Sequence, residues 1–416
     1  MTAEVRENVK KFRRAAGMNQ EDLAAASGLS VSTVQKVEQG GQVLTETLHA
    51  IARGLGVPTS TLFAAGSPAP VVGDETTRQQ LASLRTALMP PVGLESMIFT
   101  PVPEIQELAA LRRSILDAHA LYRADRYDSV AASLPPLLIA AAAAARRADD
   151  SERREAMTVH ALALLVTGKY ATQVRQYDMA YHALSEGIRL AREAGDRQTA
   201  AVGVIGLCWL LLRQNRFDEC YQLATATAQL MEPRMTETDP GRISVWGELW
   251  MRAAAASIRD NRPDDAAIAR GFVARAAGGM KRQDQSFPSH WGGFGPATAA
   301  IKAAEDCLIT GQNPSDARET LRRAAADTLK PKALKHTGKP TAIDWSRHRL
   351  DVGSALTILG AHQDAMDELT SIKATQGMWL KHQPMARRVM SDVLKSRKRT
   401  LTQEMREMAS YLGVVE

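Results

Sequence analysis

Apolar positions in the first 66 residues recur at helical spacing. Val5, Val9 and Phe12 mark a first helix, Leu23, Ala24 and Ala25 the inner face of a second, and Val34 and Val37 that of a third. Gln20 opens the second helix, and Ser30 is placed to N-cap the third, where its side-chain oxygen can accept an otherwise unpaired backbone N–H. Gly28 between them suits a sharp turn, because a residue without Cβ tolerates positive φ. Further on, Gly66-Ser-Pro-Ala-Pro-Val-Val-Gly73 breaks the helical pattern and reads as a hinge. From Thr76 to Leu88 a short segment places Leu81, Leu84 and Leu88 on one face, and Pro90 and Pro91 end it. Thr100-Pro-Val-Pro103 precedes the next long helix. A helix between two such breaks reads equally well as a relay of movement or as a plain spacer.

Beyond residue 103 an opening recurs every 40 to 52 residues or so. It is Arg126-Tyr-Asp128, then Gln176-Tyr-Asp178, Arg216-Phe-Asp218, Arg262-Pro-Asp264, Asn313-Pro-Ser-Asp316 and His362-Gln-Asp364. Each introduces an Ala/Leu-rich helix, such as Asp178 to Ala194 or Asp218 to Met231, and another helix precedes it, such as Thr199 to Leu212. The acidic residues suit the positive end of the helix dipole, and Pro263 and Pro314 suit a first turn. Helix pairs that cannot bury their apolar faces alone stack into an α-solenoid. The pattern resembles tetratricopeptide repeats, with periods beyond the usual length of about 34 residues, hence degenerate and with extended helices. Trp379 to Gly413 reads as a capping helix pair, with Arg387, Arg388, Lys395, Arg397, Lys398 and Arg399 on a solvated face.

The N-terminal pattern is more specific. Arg13, Gly17 and Gln20 are followed by Leu23-Ala24, Gly28-Leu-Ser30, Val34, Val37-Glu38 and Gly40, and then by Thr47-Leu48, Ile51-Ala52 and Leu55-Gly-Val57. This stretch resembles the lambda-repressor/Cro-like, XRE-type helix-turn-helix family, whose second motif helix lies in the DNA major groove. The resemblance implies a five-helix DNA-binding domain in which Gln20 donates to a phosphate and Arg13 pairs with Glu38. It also implies that the third helix presents Val31, Ser32, Gln35 and Lys36 to base edges and nearby phosphates. Each side chain suits that work: Val31 can pack on a thymine methyl, Ser32 donates or accepts, Gln35 can read adenine, and Lys36 can reach guanine or phosphate. Ser30 begins this helix, and Gln39, Gly40, Gly41 and Gln42 form a loop whose amides can hold the backbone.

The expected architecture is all-α, with a helix-turn-helix domain at 1–66, a linker with a short helix at 67–103, and tetratricopeptide-like repeats at 104–416. A net charge of +6 permits a polyanionic partner without requiring one. Within the first domain six acidic side chains nearly offset seven basic ones. A lone copy therefore binds DNA weakly, and a homodimer on a roughly palindromic operator is expected. Cys208, Cys220 and Cys307 show neither metal-ligand spacing nor a disulfide framework, which suits a reducing cytoplasm. Cys208 and Cys220 read as buried free thiols, facing each other on neighbouring helices. No signal peptide is evident, and no apolar run approaches about 18 residues; Ala140–Ala145 is far too short to span a bilayer.

No catalytic signature holds. Gly168-Lys169 lacks the upstream glycine and the Ser/Thr of a phosphate loop, and no strand is expected before Gly292-Gly-Phe-Gly295. The nine histidines are scattered, so neither enzyme activity nor a metal or other cofactor is expected. Aromatic residues are only 5% of the chain, yet Trp209, Trp246, Trp250, Trp291, Phe294 and Trp345 all fall in the repeats. They are candidates to line an effector groove, with Arg252, Lys302 and Arg349 as its positive charge. An XRE-type domain joined to such repeats resembles the peptide-sensing (RRNPP-type) quorum regulators of Gram-positive bacteria. That family holds the peptide backbone with groove asparagines, whereas Asn215, Asn261 and Asn313 here fall at predicted turns. A signalling peptide, a small molecule and a protein partner therefore stay open as ligands. The chain reads as a dimeric transcriptional regulator controlled by a bound signal, or else as a DNA-recruited scaffold that senses nothing.

Overall fold

Asn19 begins the helix-turn-helix with a reciprocal cap: its side chain accepts from the Asp22 N–H and the Asp22 carboxylate accepts from its own, both at 2.8 Å. The computed structural model of the chain describes residues 3–16, 18–41, 43, 45–56, 59–62, 75–91, 107–280, 283–288, 290–310, 313–396 and 401–414. Five helices form at the N-terminus: α1 (Ala3–Ala15), α2 (Gln20–Ser27), α3 (Val31–Glu38), α4 (Thr45–Gly54) and α5 (Thr59–Leu62). Val9, Leu23, Val34, Val37, Ile51 and Leu62 meet in one core without solvent contact. Gly28 ends α2 at φ +68°, and its N–H reaches the carbonyls of Ala24 and Ala25.

Helix α6 (Glu75–Leu88) carries the leucines placed in the linker. Leu84 and Leu88 are buried in the same core as α7 (Leu108–Arg123) and α8 (Tyr127–Arg147), with Leu81 packed alongside. The helix is therefore docked on the array that follows. Its successors are α9 (Arg153–Gln173), α10 (Tyr177–Glu193), α11 (Arg197–Arg213), α12 (Phe217–Leu230), α13 (Pro240–Arg259) and α14 (Pro263–Gly279). Next come α15 (Pro296–Thr310), α16 (Pro314–Ala324), α17 (Pro331–Thr337), α18 (Ala342–Ile358), α19 (His362–Lys381), α20 (Pro384–Ser396) and α21 (Gln403–Leu412). All six predicted openings start helices, at Tyr127, Tyr177, Phe217, Pro263, Pro314 and His362.

Five of those openings share one turn. Asp125, Arg175, Asn215, Asn261 and Gly360 adopt positive φ. The following N–H then bonds to the carbonyl five residues back: Arg126 to Leu121, Gln176 to Ala171, Arg216 to Leu211, Arg262 to Ser257 and Ala361 to Leu356, at 2.8 to 3.0 Å. This reversal ends one helix and starts an antiparallel neighbour. Alternate helices α7, α9, α11, α13, α15, α18 and α20 touch in series and form an inner row. α9 is buried almost all round along its C-terminal half, as a central helix of such a row must be.

Three features depart from expectation. A two-stranded antiparallel ribbon, β1 (Gln285–Ser286) with β2 (Gly293–Phe294), interrupts the all-α pattern. Its rings are seated by glycines on the inner helices. A Cβ on Gly206 of α11 would fall within the Trp291 ring, and one on Gly247 of α13 within the Phe294 ring. Second, α8 is long and apolar enough to cross a membrane by length and composition, contrary to the reading of its sequence. Here it packs against α6, α7 and α9 and buries Val130, Leu134 and Leu138.

Third, the array closes on itself instead of leaving an open groove. Gln376 breaks the helical path of α19 with φ −141° and ψ 53°, which frees the N–H groups just after it. The Asp125 carboxylate, from the first hairpin turn, accepts those of Met378 at 2.7 Å and Trp379 at 2.6 Å. Nearby, Arg175 donates to the His382 carbonyl at 3.4 Å and Arg213 to Gln383 Oε1 at 3.4 Å. Trp379 therefore lies in the last turn of α19 and belongs to the closure, ahead of the helix pair α20 and α21. Arg387, expected on a solvated face, donates to the carbonyls of Leu412 (2.9 Å) and Lys381 (3.1 Å) and ties the last helices together. Arg397, Lys398 and Arg399 lie outside the described residues.

Replacing Asp125 with Ala strands two part-buried amides, a loss of about 1–3 kcal/mol. Hydrogen exchange at Met378 and Trp379 is expected to accelerate at least about tenfold, with amides in α1–α5 unchanged. Unaltered exchange at both sites would mean that Asp125 does not hold the closure.

Candidate nucleic-acid interface and central cavity

Helix α3 is two-faced because its apolar residues fall three apart. Val34 and Val37 are fully buried, whereas Ser32, Gln35, Lys36 and Gln39 project into solvent along the opposite face. Val31 is half-buried and packs on the domain core. Ser30 is occupied as the N-cap: its Oγ accepts from the Thr33 N–H at 3.2 Å and lies 2.9 Å from the Ser32 hydroxyl. Gln42 lies outside the described residues.

The orientation of α3 depends on Glu38, which is buried at the helix end. Arg13 of α1 holds it with two hydrogen bonds, Nε to Oε1 at 2.6 Å and Nη2 to Oε2 at 3.1 Å. Gln20, expected at a DNA phosphate, donates to the same Oε2 at 2.7 Å and joins α2 to the pair. Burial would raise the carboxyl's pKa, but the bonds from Arg13 and Gln20 outweigh it and hold it below its ordinary value. The pair's stabilisation is thus present above the ordinary carboxylate range and is lost as pH falls through the lowered pKa.

Inside the closed array lies a cavity of about 490 Å³. Of the sequence-predicted effector residues it gathers Trp209, Arg252, Trp291 and Lys302. Trp209 and Trp291 meet edge to face at 5.8 Å. The other five line other places. Trp246 and Trp250 turn to the outer side of α13 and pack on Phe272 of α14, Trp250 stacking at 4.2 Å. Phe294 is sealed beneath the ribbon against α13. Trp345 packs with Ala297, Ile301 and Leu334. Arg349 is paired with Glu368, Nε to Oε2 at 2.7 Å.

Sequence reasoning missed the charges that dominate this space. Lys169 sits in the buried C-terminal half of α9 and donates to the Trp291 carbonyl and to His119 Nε2, the latter at 2.8 Å. His119 Nδ1 in turn donates to the Pro288 carbonyl at 2.6 Å, so the imidazole is neutral and the ribbon is pinned to α7 and α9. Desolvation pushes Lys169 down to about 7, with Arg123 adding to the shift. Desolvation likewise pushes Glu248 of α13 up to about 7, against the pull of Arg252. The available signal was a lone charge inside an otherwise uncharged, largely apolar run, in both Leu164-Leu-Val-Thr-Gly-Lys169 and Val245-Trp-Gly-Glu248. Arg213 lies flat on Trp209, 4.7 Å from the ring centre. Among the described residues no group of three His, Cys, Asp or Glu is arranged to hold a metal ion.

Residues 9–62 match the family model described as helix-turn-helix. The match covers α2 and α3 and supports an XRE-type domain that binds DNA in transcription regulation. No curated protein and no solved structure matches the chain.

Two outcomes follow from these buried charges. Arg13→Met leaves the Glu38 carboxylate buried without its cation, which costs the N-terminal domain about 3 kcal/mol. Hydrogen exchange in α1–α3 should rise by about two orders of magnitude, and adding Glu38→Gln should recover part of the loss. Glu248 holds its proton from about 7 down, whereas the unfolded carboxyl holds it only below 4.5. Stability from this group therefore falls as pH rises between those values. The melting temperature of Glu248→Gln relative to the parent should climb across that window, by the equivalent of about 1–3 kcal/mol. A flat difference would contradict the assignment.

Proposed function

We propose that the chain is a dimeric transcriptional regulator that reads a roughly palindromic operator through α3. Its helical array, an α-solenoid of degenerate tetratricopeptide-like hairpins, holds a signal in the central cavity. The observation that carries the DNA half is the exposed row Ser32, Gln35, Lys36 and Gln39 on a helix anchored by Val34, Val37 and Glu38. A small basic excess in the domain makes a single copy a weak binder, and a second copy supplies the second half-site about one helical turn away. Tyr181, Leu230 and Ile268 stand exposed on α10, α12 and α14 and offer apolar surface for such a copy to cover. Cys208 and Cys220 face each other as buried free thiols, which suits a reducing cytoplasm. The paired and desolvated charges of the cavity fit binding better than catalysis.

Selection of duplexes from a random pool by the full chain tests this reading. Two half-sites related by a dyad are expected. Gln35→Ala with Lys36→Ala should lower affinity for the selected site about ten- to a hundredfold per lost contact, with the oligomeric state unchanged. Operator selectivity that survives both substitutions would remove α3 from the role of reader.

A further inference from the structure

The cavity's charges are not evenly matched. Nine of its lining side chains are Arg or Lys and four are Asp or Glu. On one wall the carboxylates are taken. Glu305 receives Arg259 at 2.7 Å, Lys302 at 3.3 Å and Arg347 at 3.4 Å. Asp306 receives Arg270 at 2.6 Å, and Asp351 lies 3.2 Å from Arg347. On the opposite wall Arg123, Lys169, Arg213 and Arg252 have no carboxylate within 4 Å among the described residues. Arg252 Nε is buried and lacks any hydrogen-bond partner. Glu248, one turn before Arg252 on α13, and Asp344 lie beside Gly292; burial keeps Glu248 protonated up to about 7, and the Asp344 carboxylate already accepts the Thr341 hydroxyl at 2.5 Å. The same wall carries Tyr122, Trp209, Trp291 and Trp379.

We propose that this wall is a binding site for a small aromatic carboxylate, its anionic group on Arg252 and Arg213 and its ring against Trp209 and Trp291. A guanidinium matches a carboxylate with two parallel bonds, and half-buried Arg252 lines the cavity with no ion-pair partner among the described residues. Trp209 is half-buried and borders the cavity with Trp291, offering apolar surface to a planar body, and a space of about 490 Å³ suits a drug-sized molecule. The proposal rests on the cavity being the signal site of the reading above, and it narrows that signal to one chemical class.

The test is calorimetric titration of the full chain with benzoate, 4-hydroxybenzoate, indole-3-carboxylate and 2-naphthoate, each beside its neutral amide. At least one acid should bind one per chain and at least about tenfold more tightly than its amide. Arg252→Met should remove that preference, and Arg349→Met, whose guanidinium is paired with Glu368 away from the cavity, should keep it. Should Arg252→Met fail to fold by circular dichroism, Arg213→Gln carries the same comparison. No preference for any acid over its amide, or a preference untouched by the cavity substitution, overturns the proposal. Binding to the selected duplex is measured on the same preparation. Specific DNA binding without acid preference sinks the anion site alone, and acid preference without specific DNA binding sinks the regulator reading alone.

Discussion

The Asp125 carboxylate decides what kind of object the helical array is. Stacked helical hairpins have two ends and an open concave side, because each pair is satisfied by its neighbours in sequence. Here the first turn of the array reaches across 253 residues to the backbone of Met378. Two N–H groups freed by the irregular Gln376 find their acceptors in one carboxylate. A helix break and its remedy thus come from opposite ends of the same region. Neither makes sense alone: the break would leave buried donors unpaired, and Asp125 would be a desolvated anion without a role. Burial raises the Asp125 pKa more than the two backbone bonds lower it, so the bonds of the closed form offset only part of the carboxylate's desolvation.

Closure in turn gives the inner charges their character. Lys169 and Glu248 are almost fully buried, and neither is worth its burial as a contribution to stability. What they share is position, on the inner helices α9 and α13 beside the ribbon that carries Trp291. Lys169 also holds that ribbon, through the Trp291 carbonyl and through His119 to Pro288. The ribbon and the cavity are therefore one construction: the loop that breaks the helical pattern supplies an aromatic wall, and the buried cation that fixes the loop faces the same space.

Local rules were legible in the sequence wherever a residue acted on its own neighbourhood. Gly28, Ser30 and the 3.6-residue spacing of Val34 and Val37 place α3 without help from elsewhere in the chain. The recurring openings such as Arg126-Tyr-Asp128 and Arg262-Pro-Asp264 mark helix starts because, in five of the six, the turn is closed by bonds within six residues. What escaped was set by distant partners. Trp246 and Trp250 share an inner-row helix with Arg252, yet only their contact with Phe272 shows that they turn outward. Gln20 has a side chain fit for a phosphate, and its bond to Glu38, 18 residues on, is a tertiary fact. The two-residue strands of the ribbon are too short for any alternation pattern, so nothing in Gly292 to Gly295 announces them.

Docking α6 on the array has a consequence for how the two halves of the chain communicate. α6 touches α8 and α10, and Arg85 donates to Gln176 at 3.5 Å. Gln176 follows Arg175, whose guanidinium bonds to the His382 carbonyl in the closing segment. One hairpin turn thus contacts both the helix that leads back towards the N-terminal domain and the segment that shuts the cavity. A ligand changes DNA affinity only to the extent that it binds two arrangements of the array differently. The closing segment is held to the first hairpin turn by the two bonds to Asp125, so it is the element whose arrangement an occupant of the cavity would bias. On the proposed function, an occupant that touches Trp379 and Arg213 would meet that segment directly, and the Arg175–Gln176 turn would link it to α6 through two contacts. In that reading the coupling would need no motion transmitted through the core of the array, because the closure and α6 meet at the same turn.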